Sequence, residues 1–177
     1  MSFYFYRQHD AMQCGIACMA MVCKYYGRIY SFENLSNICS ITNEGVSMQA
    51  LKQLAEVLCF DVLCGKASLY QIKDINYPCL LHWNQNHFVV LYKVKKGKTF
   101  YIADPAKGLV KYNLEEFKKP WVSTQSDGEE KGIAMFLEPT PAFYEKKPDE
   151  QPTEERSFNM QVLCKQNIYE NCRDKES

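Results

Sequence analysis

The sequence predicts an α+β domain, with helices first and an antiparallel sheet after them. Two observations carry the prediction. Up to about residue 58 the apolar residues recur at helical spacing. From Phe60 the pattern shortens to strand-like runs broken by turns rich in Gly, Pro, Asn and Asp. The 177 residues suffice for one domain with a real core.

Taken in order, residues 3–7 are aromatic-rich and fit a short strand or an arm laid over the domain. Residues 14–26 form a helix, with Ile16, Met19, Ala20, Cys23 and Tyr26 on its buried face and Gly27 as its stop. Ser31 caps a second helix with Glu33 in its first turn and Leu35, Ile38 and Cys39 turned inward. Asn43-Glu44-Gly45 reads as a turn, and Ser47 caps a third helix with a stripe of Met48, Leu51, Leu54, Ala55 and Leu58.

Residues 60–64 then make a strand, and 68–75 one or two helical turns. Three further strands follow at 79–83, 87–94 and 99–103, the last two joined by a Lys96-Gly97-Lys98 hairpin turn. Asp104-Pro105 ends the third of these, and Lys107-Gly108 leads into a strand at 109–112. Asn113 caps a short helix through Phe117, and 132–137 is the final strand, closed by Pro139. Residues 1–144 therefore make one domain. Residues 145–177 open with the charged, proline-containing EKKPDEQPTEERS and read as a flexible linker and tail.

Composition narrows the function. Lys plus Arg and Asp plus Glu number 21 each, so net charge is zero and no basic patch points to nucleic acid. Nine cysteines, an odd number with no C-x-x-C pair, argue for a reducing cytosol over a secreted disulfide framework. The N-terminus MSFYFYRQHD is too short and polar for a signal peptide, and no apolar run approaches the ~20 residues of a membrane span. A phosphate loop is absent, and no cofactor is implied.

The chemistry concentrates at Cys14. It sits in or just before the first turn of the apolar helix, where free backbone N–H groups and the positive dipole end favour an anion. The thiolate is the nucleophilic form of cysteine. A nucleophile of this kind needs a base, and that base needs an orienting group. Three histidines offer themselves. His87 opens an apolar strand after Asn84-Gln85-Asn86, whereas His82 lies on the preceding strand and His9 in the N-terminal loop. Asp104 ends the strand that pairs with the His87 strand, although Asp-Pro also starts turns. Gln8 and Gln13 stand near Cys14, and an amide there could complete an oxyanion hole with the Cys14 backbone N–H. Cys14 and Cys18 also sit at a spacing seen in zinc sites, but no second pair accompanies them.

The run Gln8-x-Asp10-x-x-Gln13-Cys14-Gly15-x-Ala17-Cys18 resembles the family C39 cysteine peptidase domain of bacterial peptidase-containing ABC transporters. So do Glu44-Gly45-Val46-Ser47, His82-Trp83-Asn84-x-x-His87-Phe88-Val89-Val90, Asp104-Pro105-x-x-Gly108 and the stretch from Phe136 to Phe143. The resemblance spans about residues 4–144. It implies a papain-like fold, with Cys14 as nucleophile, His87 as general base and acid, Asp104 as orienting residue and Gln8 as oxyanion-hole amide. It further implies cleavage of a leader from an exported, bacteriocin-like peptide after Gly-Gly or Gly-Ala. The site would be at the cytosolic face of a bacterial membrane, with the transporter's membrane and ATPase parts as partners. Gln13 departs from the aspartate often found there, and no membrane helices or ATPase follow in these 177 residues. Three other readings use the same residues: a leader-binding module without hydrolysis, a transglutaminase-like acyltransferase, and a structural zinc domain.

Overall fold

The computed structural model describes residues 3–39, 45–74, 78–126 and 128–145. The first helix, α1 (Cys14–Tyr25), is the centre of the domain. All ten residues from Cys14 to Cys23 are buried. The single stripe read from the sequence is therefore too narrow: the helix is apolar all round and is enclosed on every side.

Two helices cover one side of α1: α2 (Phe32–Ile38) and α3 (Met48–Val57). Both start as the sequence predicts. Ser31 Oγ accepts from Asn34 N and Ser47 Oγ from Ala50 N, each at 3.1 Å, and such caps stabilise a helix by ~1 kcal/mol. Gly15 lets α3 come close to the Cys14 end. A Cβ there would meet Leu51 Cδ1 at 2.9 Å.

On its other side α1 rests on an antiparallel sheet of seven strands. These are β1 (Phe60–Ser68), β2 (Cys79–Trp83), β3 (His87–Lys95), β4 (Thr99–Asp104), β5 (Gly108–Asn113), β6 (Val122–Ser126) and β7 (Glu129–Pro139). Their spatial order is β1-β7-β2-β3-β4-β5, with β6 also pairing with β7. The β3–β4 hairpin turns through Lys96 and Gly97, both at positive φ as the sequence's turn residues suggest.

The sheet separates two apolar layers. Leu80, Phe88, Val90, Ala103 and Met135 face the helices. Trp83, Leu91, Phe100 and Ile102 face the opposite way, onto Ile72 of α4 (Leu69–Lys73) and Phe117 and Trp121 of α5 (Leu114–Trp121). Phe100 and Phe117 stack with ring centres 4.0 Å apart.

Several boundaries differ from the sequence reading. β1 runs on through Gly65 and Lys66 to Ser68, because every residue from Phe60 onward has a partner on β7. α5 continues past Phe117 to Trp121, with Pro120 tolerated in its last turn. β6 has no counterpart in the sequence reading; its alternate residues are exposed, and little apolar pattern marks it. A short helix, α6 (Pro141–Glu145), follows Thr140. Residues 3–8 form no regular element but lie on the domain as an arm, with Phe3 stacked on Tyr92 at 4.4 Å and Tyr6 on Phe32 at 5.8 Å. Most of the expected Asn43-Glu44-Gly45 turn, and the tail beyond Glu145, lie outside the described residues.

Candidate active site

Cys14 is the first residue of α1 and follows a single 3₁₀ turn, Ala11–Gln13, whose cap Asp10 accepts from Met12 N at 2.8 Å. Cys14 thus stands at the join between that turn and α1, at the positive end of the α1 dipole. The residue is 5% exposed.

His87 and Asp104 arrive from the sheet. His87 is the first residue of β3, opposite Trp83 across the tip formed by Asn84, Gln85 and Asn86. Asn84 and Gln85 both hold positive φ, a sparsely populated conformation that needs support from its surroundings. Asp104 is the last residue of β4, beside β3. His87 Nε2 lies 2.8 Å from Asp104 Oδ1. An ionised carboxylate can only accept, so Nε2 carries the proton and Nδ1 is left for Cys14. The Cys14 side chain lies close enough to His87 to raise its imidazolium as well. Asp104, 1% exposed, also accepts from Ala106 N at 3.0 Å through Oδ1.

Electrostatics favour the charged pair. Burial alone would lower the His87 imidazolium, but hydrogen bonds and charges from Asp104 and Cys14 outweigh it and raise the group to about 9. For Asp104, burial pushes the carboxyl up. Hydrogen bonds from His87 and Ala106 N–H, with the nearby positive charges of His87 and Lys107, overcome that and hold it below the ordinary 3.8. By contrast, burial pushes the Cys23 thiol up to about 12 and the Cys18 thiol well up. Those two are core thiols.

Gln8 is tied to the same corner. Its N–H donates to Pro105 O at 3.1 Å, and Arg7 Nη1 donates to Ala106 O at 3.3 Å, so the arm is stitched to the turn that follows Asp104. The Oε1 atoms of Gln8 and Gln13 are buried without a hydrogen-bond partner. The other histidines stand apart from Asp104. His82 pairs across the strands with Phe88, and burial lowers it; exposed His9 packs edge-on against Tyr6 and Phe32. A groove of about 660 Å³ lies beside the β2–β3 tip, lined by Ser47, Met48, Cys64, His82, Asn86 and Phe88 among others. Among the described residues no group of three or more His, Cys, Asp or Glu is placed to hold a metal ion. No described helix is long and apolar enough to cross a membrane.

Two features escape the sequence reading. The stitch between arm and turn relies largely on backbone atoms and leaves no residue pattern. Cys18, a core thiol by its place in the sequence, donates that thiol to Phe88 O at 3.3 Å.

Comparison with known proteins gives a consistent result. Residues 2–125 match the model of the Peptidase C39 family. The chain is 34% identical over 165 residues to the lactococcin-G-processing and transport ATP-binding protein LagD of Lactococcus lactis subsp. lactis, covering 90% of this chain and 22% of that protein. It thus spans about a fifth of the length of the curated relatives it matches. Among solved structures it resembles a double glycine motif protease from an AMS/PCAT transporter in complex with the leader peptide. The TM-score is 0.67 at 33% identity, over 78% of this chain and 93% of that one. It also resembles the peptidase domain of Streptococcus ComA, a bi-functional ABC transporter, with TM-score 0.65 at 25% identity, over 78% of this chain and all of that one.

Proposed function

This chain belongs to the peptidase C39 family, and from that premise we propose that it is a cysteine endopeptidase cutting a leader from an exported peptide after Gly-Gly or Gly-Ala. The observation that carries the reading is the 2.8 Å hydrogen bond between His87 and Asp104 beside Cys14, the first residue of a buried helix. The Cys14 thiolate attacks the scissile carbonyl carbon. The oxyanion that forms accepts from the Cys14 backbone N–H and the Gln8 amide. His87, held by Asp104, donates its Nδ1 proton to the departing amine. The thioester left on Cys14 is then hydrolysed by a water that His87 deprotonates; the sulfur leaves as thiolate, which restores the thiolate–imidazolium pair.

The leader supplies remote binding energy. We place its apolar residues in the groove beside His82 and Met48, and its two glycines at Cys14, where only residues lacking side-chain bulk let the backbone reach the sulfur. The transporter relatives support a location at the cytosolic face of a bacterial membrane, with membrane and ATPase parts as partners in one chain or in trans. A synthetic leader ending in Gly-Gly should be cut once, after the second glycine. Replacing that glycine by valine should lower kcat/KM severely, as mass spectrometry of timed digests would show. Equal cleavage of the valine peptide would sink the narrow-cleft account.

The pH dependence follows from His87. Its folded value of about 9 lies above the ordinary 6.5, so its contribution to stability is whole below about 6.5 and is lost as pH rises through about 9. Asp104 behaves oppositely; its contribution is present above the ordinary 3.8 and falls away on further acidification. The rate of cleavage should likewise fall on the alkaline side near pH 9, as the proton needed by the leaving amine is lost. Asp104→Asn removes the charge that holds the imidazolium up. That alkaline limb should then move toward neutral pH, with kcat reduced and KM little changed. An unmoved limb in a folded Asp104→Asn protein would remove Asp104 from the pair.

A further inference from the structure

We propose that Cys18 is a positioning residue that fixes the spacing between Cys14 and His87. The proposal rests on the peptidase reading above. Cys18 lies one helical turn beyond Cys14, on the same face of α1. Its thiol donates to the carbonyl of Phe88, the residue directly after His87. The bond is fully buried and joins residues 70 positions apart. Cys14 and Asp104 both act on Cys18 electrostatically, so it lies near them.

The sheet supports this part of β3 on one side, where Phe88 pairs with His82 of β2. Pairing of β3 with β4 runs from Val90–Ala103 onward, so Phe88 lies beyond that ladder. On the β4 side the buried Phe88 carbonyl accepts from the Cys18 thiol. His87 is held to Asp104 by its own hydrogen bond, whereas Cys14 belongs to α1. The Cys18–Phe88 bond links these two bodies close to the reacting atoms. Because burial keeps Cys18 protonated, it retains the proton that it donates. Loss of the bond would let α1 shift against the start of β3, lengthening the Cys14–His87 contact while leaving His87–Asp104 intact. Misplacements of about 1 Å suffice to slow such reactions measurably.

The test compares Cys18→Ala and Cys18→Ser with the unaltered chain. Alanine removes the donor; serine keeps it. Cys18→Ala is expected to lower kcat by roughly tenfold with little change in KM. Its alkaline limb should move below that of the unaltered chain, and Cys18→Ser should recover most of both. A packing role predicts no such recovery, because serine is smaller and more polar than the cysteine it replaces. Unchanged kcat and pH profile in Cys18→Ala, or a serine variant no better than the alanine one, would overturn the proposal. If the unaltered chain cuts no leader peptide, the peptidase reading falls by itself. The rate of iodoacetamide alkylation at Cys14, followed by mass spectrometry, then decides this one. Slower alkylation in Cys18→Ala with recovery in Cys18→Ser supports it, and equal rates in all three proteins overturn it.

Discussion

Cys14→Ala is expected to abolish cleavage of a Gly-Gly leader peptide while leaving the domain folded. In the proposed mechanism the sulfur is the attacking atom, and the other thiols of α1 cannot replace it. Cys18 and Cys23 are fully enclosed in α1 and kept protonated by burial. Loss of a nucleophile in a coupled triad costs on the order of 10⁵-fold or more in kcat. The fold tolerates the change because the missing sulfur is a single buried atom at a helix end, worth roughly 1 kcal/mol of burial. Circular dichroism and thermal melting establish the folded state, and leader binding should persist in the variant. Hydrolysis by a protein shown to lack Cys14 would remove the central claim.

The parts of this fold visible in the sequence are those whose side chains carry the pattern. α3 is legible because Leu51, Leu54 and Leu58 repeat at helical spacing behind a serine cap, and those leucines are buried in the structure. β2, β3 and β4 are legible because turn residues at 84–86 and 96–98 divide them. β6 is not, because it is a polar strand on a single neighbour, held by main-chain bonds that any residue can make. The second half of β1 is hidden for the same reason, since Gly65 and Lys66 are exposed yet fully paired. The complete enclosure of α1 depends on what packs around it, and local period cannot show that.

The candidate site divides along the same line. A cysteine at a helix start, a histidine opening a strand and an aspartate closing the next are positional features, and position is readable. The structure brings His87 and Asp104 to 2.8 Å because β3 and β4 are neighbours. The attachment of Gln8 and Arg7 to the Pro105-Ala106 turn is not readable. It joins segments up to 99 residues apart through carbonyl oxygens. The bond from Cys18 to Phe88 is equally hidden, because a thiol in an apolar helix looks like packing until its acceptor is known.

His87→Ala should be nearly as damaging as loss of the nucleophile, whereas His82→Ala should cost far less. The two residues lie close together on paired strands, so a general disturbance of the hairpin would affect both. Their surroundings differ. His87 bonds to Asp104, lies beside Cys14 and is raised to about 9, while His82 rests against Phe88 with a ring separation of 5.2 Å and is lowered by burial. Removing His87 takes away the base that forms the thiolate and the acid that protonates the leaving amine, so both halves of the reaction stop. A loss on the order of 10⁴-fold or more in kcat is expected, with KM nearly unchanged. Removing His82 alters only one wall of the groove, so its effect should fall on KM and remain within about tenfold, the equivalent of about 1.4 kcal/mol. Steady-state kinetics on one leader peptide, measured for both variants at the same pH, separate the two. If His82→Ala proves the more damaging in kcat, the base has been assigned to the wrong histidine. The hydrogen bond between His87 and Asp104 would then be a structural tie between β3 and β4.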